Sequence, residues 1–257
     1  MLGAEPTDDP LRWRLPVDER NISGLNTLFG GSAIAAAVGA TEAASGRSLV
    51  WCTAQFLSQA KPGEVLIVDV DLRAEGRSMT QALIHGHVDG RAVIDVMAAL
   101  GEREFPVEDT WVTMPDVPGP DESPDRVWNS PLKTVSSEWR RRIAVGRVEW
   151  DSSEPVSDGW SAMWVDTRTD GRVDAALLAL LGDHVPFGIH QATPGSFSIS
   201  SLDNTIRVVD VADSDWLLIE MKAHSLRRGI GQGHLHIWTR DGRLLATASQ
   251  SCQLRSF

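Results

Sequence analysis

The chain carries an internal repeat that any fold must accommodate. Residues 62–103 read PGEVLIVDVDLRAEGRSMTQALIHGHVDGRAVIDVMAALGER, and residues 215–257 read DWLLIEMKAHSLRRGIGQGHLHIWTRDGRLLATASQSCQLRSF. Each copy opens on an apolar, strand-forming run, passes a turn containing glycine and arginine, and continues through a second run into Asp-Gly-Arg. These triplets are Asp89-Gly90-Arg91 and Asp241-Gly242-Arg243, and a third apolar run follows each. Asp-Gly supplies the positive φ angles that tight hairpins require. Each copy is therefore expected to form an antiparallel meander.

A helix-forming stretch precedes each meander. The first, GGSAIAAAVGATEAA at residues 30–44, is built of small residues that allow close packing on a sheet. The second, GRVDAALLALL at residues 171–181, follows Asp170, a residue type that caps helix N-termini. Single strands over 12–15 and 147–150 are expected ahead of these helices. Helix then meander, twice, differs from alternating βαβ, which argues against a dinucleotide-binding parallel sheet. The expected domains are residues 1–103, a linker over 104–143, and residues 144–257. Pro106, Pro115, Pro118, Pro120, Pro124 and Pro131 favour an extended linker, and Trp111, Trp128 and Trp139 suggest that it packs on the body.

Net charge is −11, and Arg140-Arg141-Arg142 is the only basic run that stands out, so phosphate-backbone neutralisation on a nucleic-acid scale is not expected. A local basic cleft remains compatible with this charge. Residues 1–10 lack the basic and apolar regions of a signal peptide, and no apolar run reaches about 18 residues. The expectation is a cytoplasmic protein without membrane partners, in which Cys52 and Cys252 are reduced, buried thiols.

Six segments resemble the acyl-CoA thioesterase II family. They are Leu28-Phe29-Gly30-Gly31, Ala54-Gln55-Phe56-Leu57, Glu75-Gly76-Arg77-Ser78, Ser201-Leu202-Asp203-Asn204, Asp215-Trp216-Leu217-Leu218, and Asp241 to Ala246 followed by Gln250. The resemblance implies an α+β double hotdog: two fused halves, each with a long central helix wrapped by an antiparallel sheet. It also implies acyl-CoA or acyl-carrier-protein thioester hydrolysis in fatty acid metabolism, no cofactor, and a homodimer formed by edge pairing. The family's active site combines an aspartate, a threonine or serine, and a glutamine. Carried onto this chain, the aspartate is Asp203 and the glutamine Gln250, with His224 or Ser225 in the hydroxyl position. Asn204 stands where the family has histidine.

These residue types suit the chemistry. A carboxylate can accept a proton from water, and a glutamine amide can both donate and accept to fix that water. Gly30 and Gly31 at a helix N-terminus would let an acyl carbonyl approach unpaired N–H groups. Superposing the Asp-Gly-Arg turns places Gln250 opposite Ala98, and a looser alignment places Asp203 opposite Thr53. This asymmetry suits one site per chain.

Other features carry alternatives. His85/His87 and His234/His236 have the spacing of a metal pair but no third ligand nearby, so no metal is expected. Gly229-Ile-Gly-Gln-Gly233 leads into a strand rather than a helix, which excludes a phosphate loop. Arg227, Arg228 and Arg255 are candidates for coenzyme A phosphates. A hydroxyacyl-thioester dehydratase would use His190, His224 or His234 opposite an acid, and a non-catalytic acyl-binding module is the third reading.

Overall fold

Small residues dominate residues 30–45, with Ile34, Val38 and Glu42 the larger side chains, and this lets the helix lie close against its neighbours. The computed structural model describes residues 3–127, 132–137, 139–149, 154–167, 172–195 and 197–256. Its first half comprises β1 (Glu5–Pro6), β2 (Arg12–Pro16), α1 (Gly30–Ser45), β3 (Leu49–Phe56), β4 (Val65–Glu75), β5 (Met79–Val88) and β6 (Arg91–Gly101). The second comprises β7 (Arg141–Val145), β8 (Trp160–Asp166), α2 (Ala175–Gly182), α3 (Val185–Ala192), β9 (Phe197–Ser201), β10 (Asp203–Val208), β11 (Trp216–Arg227), β12 (Ile230–Thr239) and β13 (Leu244–Ser256).

These strands form one antiparallel sheet in the order β1-β2-β4-β5-β6-β3-β10-β13-β12-β11-β8-β7, with β9 added on β13. The two meanders lie on either side of the β3–β10 pair, where Thr53 faces Thr205 with their hydroxyls 2.7 Å apart. In β5 and β6 burial alternates residue by residue, so one face of the sheet packs on the helices. No helix among the described residues is long and apolar enough to cross a membrane.

The duplication extends to register. Ala82 pairs with Ala98, and Gly233 pairs with Gln250. Each first strand slips at the matching place, between Leu72 and Ala74 and between Ala223 and Ser225. The pairing of the second and third strands shifts as well, at Gly86/His87 and at Ile237/Trp238, where Val93 and Leu245 of the third strands are the extra residues. Gln250 therefore corresponds to Ala98, as the turns indicate. Thr53 corresponds to Thr205 rather than to Asp203, because Cys52 opposes Ala98 while Thr205 opposes Ser249 next to Gln250. The Asp-Gly-Arg turns themselves differ. Asp89 and Gly90 both take positive φ in a two-residue turn, whereas in the second only Gly242 does so, between Thr239 and Leu244.

Three expectations need correction. The helix of the second half is not one long rod: it breaks at Asp183 and His184, where Gly182 weakens the helix and Pro186 is suited only to the first turn of the next one. Its N-cap is Asp174, which accepts from the Leu177 N–H at 2.7 Å, and Asp170 lies outside the described residues. The strand ahead of it is β8, with β7 before that, rather than one over 147–150, whose last residue is not described. Residues 104–118 of the linker form neither helix nor strand, turns follow near 119–123 and 134–137, and Trp111 is 88% exposed and does not pack on the body. Trp139 does, resting half-buried against the core, while Trp128 is outside the described residues.

The two halves meet where α1 crosses α2. A Cβ on Gly31 would stand 2.4 Å from the Leu180 carbonyl oxygen, a separation real atoms do not tolerate. Glycine at this position sets the approach of the helices. Gly31→Ala is therefore expected to lower stability by about 1–3 kcal/mol, the usual range for overpacking, seen as a lower urea midpoint. Gly119→Ala, whose added Cβ meets open space, should leave the midpoint unchanged.

Candidate active site

Helix α1 begins without a cap of its own. Phe29 occupies the N-cap position and offers no side-chain acceptor, and no acidic residue lies in the first turn. The acceptor comes from the other half of the chain: Asp183 Oδ2 takes the Gly31 N–H at 2.7 Å. A carboxylate at a helix N-terminus satisfies an orphan donor and faces the positive end of the helix dipole. The break between α2 and α3 places Asp183 there. Gly30 is constrained as Gly31 is, since its added Cβ would fall 2.6 Å from Asp183 Oδ2.

The opposite oxygen of Asp183 has two further donors. Gln250 Nε2 donates to Oδ1 at 2.5 Å, and Ser201 Oγ donates to it at 3.2 Å. Gln250 Nε2 also donates to Ser201 Oγ at 2.7 Å, closing a three-membered cluster. Asn204 Nδ2 donates to the Gly182 carbonyl at 3.0 Å and so holds the end of α2. Gln250 Oε1 and Asn204 Oδ1 are buried acceptors with no donor among the described residues.

Asp183 is only 4% exposed. Burial pushes its carboxyl up to about 6, while the donors from Gln250, Gly31, Ser201 and Asn204 pull the other way. Desolvation wins because it penalises the charged form in full, whereas the hydrogen bonds offset only part of that penalty. Asp183, Ser201 and Gly30 open onto a cavity of about 600 Å³ between the halves. Phe29, Phe56, Val93, Ile94 and Phe187 give it apolar walls. His184 and His190 line it as well, and both are lowered to about 3, chiefly by burial and then by nearby arginine charge. These imidazoles are neutral at physiological pH.

The sequence-derived site is thus redistributed. Gln250 is in the cluster, but Asp203 and its proposed hydroxyl partners are not. Strand alternation puts Asn204 on the inner face with Gln250 and Asp203 on the other, where its Oδ1 accepts the Ser251 N–H at 2.7 Å. His224 is the extra residue at the bulge of β11, exposed and 2.6 Å from His234, and Ser225 beside it is also exposed. Neither lines the cavity. Gly30 and Gly31 are at the site, although the N–H of Gly31 serves Asp183. Arg227, Arg228 and Arg255 are exposed and do not line the cavity, although Arg255 pairs on the sheet with Ser198, between the lining residues Phe197 and Ile199.

The remaining histidines take partners on neighbouring strands. His85 meets Asp95, His87 meets Asp69, and His236 meets Glu220. Among the described residues no group of three or more His, Cys, Asp or Glu is placed to hold a metal. Cys52 and Cys252 are both buried, and burial pushes each thiol up to about 12.

Two family models match the chain: the acyl-CoA thioesterase N-terminal domain over residues 19–101 and the acyl-CoA thioesterase C-terminal domain over residues 109–254. No curated protein matches in sequence. Among solved structures, a candidate thioesterase from Novosphingobium aromaticivorans is 32% identical, with 99% of each chain covered and a TM-score of 0.87. A protein described by its hot dog fold, from Alicyclobacillus acidocaldarius, is 21% identical over 100% of this chain and 97% of its own, at a TM-score of 0.84. The acyl-CoA thioesterase II TesB2 of Mycobacterium marinum is 19% identical over 100% and 97%, at 0.75. The fold is that of the hotdog thioesterases.

The raised carboxyl has a consequence for stability. Its folded value lies about two units above the unfolded one, so between roughly pH 4 and 6 the folded state binds the extra proton and stability from this group falls as pH rises. Asp183→Asn removes the buried charge. Urea denaturation should show the variant more stable than wild type above pH 6, by up to about 3 kcal/mol at 1.36 kcal/mol per unit, with the gap closing toward pH 4. A variant destabilised equally at both ends of this range would contradict the buried-charge assignment.

Proposed function

We propose that Asp183 is the catalytic carboxylate of this chain, which belongs to the acyl-CoA thioesterase family and is a thioester hydrolase. The observation that carries this is the closed cluster of Asp183, Ser201 and Gln250, in which Asp183 and Ser201 line the cavity and Gln250 is buried behind them. It unites an aspartate, a hydroxyl and a glutamine, the combination that the family resemblance implies, with different residues in two of the three places. The two fused units are read as a double hotdog, divided by the linker over 104–143, with the first unit lending α1 and cavity walls and the second the chemistry.

In the ionised state Asp183 accepts a proton from a water that attacks the thioester carbon. Its carboxyl near 6 keeps it ionised at neutral pH yet basic enough for the task. Gln250 and Ser201 hold the carboxylate in one orientation, and the Gln250 amide oxygen is an acceptor for the same water. The first N–H groups of a helix have no intrahelical partner, and with that of Gly31 engaged by Asp183, the N–H of Gly30 remains to polarise the acyl carbonyl. The tetrahedral intermediate collapses with loss of the thiolate, and the proton held by Asp183 leaves with it as thiol. The substrate is an acyl-CoA, an acyl carrier protein being the other donor of the same thioester.

Steady-state hydrolysis of acyl-CoA, followed by thiol release, tests the assignment. Asp183→Asn should lower kcat by about a hundredfold or more, the usual share of a general base. Ser201→Ala and Gln250→Ala should lower kcat with little change in KM, and Asp203→Asn should leave kcat within a few-fold of wild type. For the wild type, kcat/KM should rise with pH along a limb near 6. Loss of activity in Asp203→Asn with activity retained in Asp183→Asn would reject the assignment.

A further inference from the structure

The internal duplication singles out one further buried amide. Thr205 pairs with Ser249 on β10 and β13, and Thr53 pairs with Met97 on β3 and β6. One step along this register the first half has Cys52 opposite Ala98, and the corresponding residues of the second are Asn204 and Gln250. Cys52 and Ala98 are buried and apolar, and their half carries an unbroken helix, Gly30–Ser45. Asn204 and Gln250 are two buried amides, and their half carries the helix that ends at Gly182 and resumes at Val185. Both amide nitrogens engage that end. Gln250 Nε2 donates to Asp183 Oδ1, and Asn204 Nδ2 donates to the Gly182 carbonyl at 3.0 Å.

The last carbonyls of a helix have no intrahelical donor. In α2 the Leu181 carbonyl takes Nδ1–H of His184 at 2.9 Å, and the Gly182 carbonyl takes Asn204. His184 belongs to the break itself, whereas Asn204 anchors the backbone of the break to the sheet. Asn204 is 1% exposed, and chemistry sets its orientation: turned over, the amide would place Oδ1 against the Gly182 oxygen. Its Oδ1 is therefore left buried without a donor among the described residues. An unpaired buried acceptor is a cost that an apolar side chain avoids. Stability does not account for an amide at this position.

We propose that Asn204 is a positioning residue of the hydrolytic site, holding the Gly182 carbonyl so that the chain break presents Asp183 to the cavity in one orientation. The inference rests on Asp183 as the base and adds the group that sets its geometry. Without this donor, Asp183 loses its alignment toward the attacking water. The amide also favours the ionised form of Asp183, so its removal raises the carboxyl from about 6.

The test removes the donor with Asn204→Leu, and with Asn204→Ala as a smaller counterpart, and restores one with Asn204→His. Histidine Nδ1 lies as far along its side chain as asparagine Nδ2. In Asn204→Leu one unpaired acceptor, Oδ1, is exchanged for another, the Gly182 oxygen, so the urea midpoint should stay close to wild type. In acyl-CoA hydrolysis its kcat should fall by roughly three- to tenfold, the range of one net hydrogen bond. KM should change little, and the pH limb should move above 6. Asn204→His should recover kcat and return the limb toward its wild-type place. Carbon-detected NMR titration of Asp183 should show the same upward shift, independently of turnover. Wild-type kcat and limb in both donor-free variants overturn the proposal. So does a lowered kcat that tracks a lowered urea midpoint while Asp183 titrates as in wild type, since that is loss of structure alone. An Asp183 carboxyl shifted by Asn204→Leu, in a protein whose hydrolysis survives Asp183→Asn, would uphold the positioning and reject Asp183 as the base.

Discussion

The structure depends on one carboxylate placed where α1 of the first half meets the break between α2 and α3 of the second. Asp183 caps a helix that has no cap of its own, and in doing so ties the two halves together at their closest approach. That contact requires Gly30 and Gly31, because any side chain there would collide with Asp183 or with the backbone of α2. The same burial that makes the contact raises the carboxyl to about 6. Fold and reactivity therefore share a cause: a charge is held in the seam between the two units and stabilised only in part by its donors.

The register-level duplication makes the inequality of the halves visible. Gln250 and Ala98 occupy equivalent places, as do Gly233 and Ala82. In the first half the inner face at this point is apolar, and in the second it carries the amide that binds Asp183. The apolar copy still contributes, because α1 supplies the N–H groups and Phe29, Phe56, Val93 and Ile94 supply walls. A single cluster per chain follows from this division.

Much of the fold was legible in the sequence because its determinants are local. Hairpin turns, strand alternation and the small-residue helix each announce themselves within a few residues, and the spacing of the Asp-Gly-Arg triplets placed Gln250 opposite Ala98. The site was less legible because its members converge from α2, β9 and β13. Asp203 sits in a recognisable segment, but the chain breaks at Leu202 between β9 and β10, so Asp203 takes the outer face of β10 although Ser201, two residues earlier, turns inward from the end of β9. Asp183 did leave a signal: a lone acid within Ala-Ala-Leu-Leu-Ala-Leu-Leu-Gly-Asp-His-Val-Pro, a run that is apolar apart from Asp183 and His184. A charge in such a run is either exposed at a break or buried for a purpose, and the sequence does not say which. The exposure of Trp111 was equally unreadable, since it depends on how the linker lies.

The central claim is that one aspartate in this chain is buried with a raised pKa and that it is Asp183. Carbon-detected NMR titration of the aspartate side-chain carboxyls measures this directly. We expect one aspartate resonance to titrate near pH 6, to be absent from Asp183→Asn, and to persist unshifted in Asp203→Asn. A spectrum in which every aspartate titrates below about 5, within the ordinary spread for exposed carboxyls, would contradict the account.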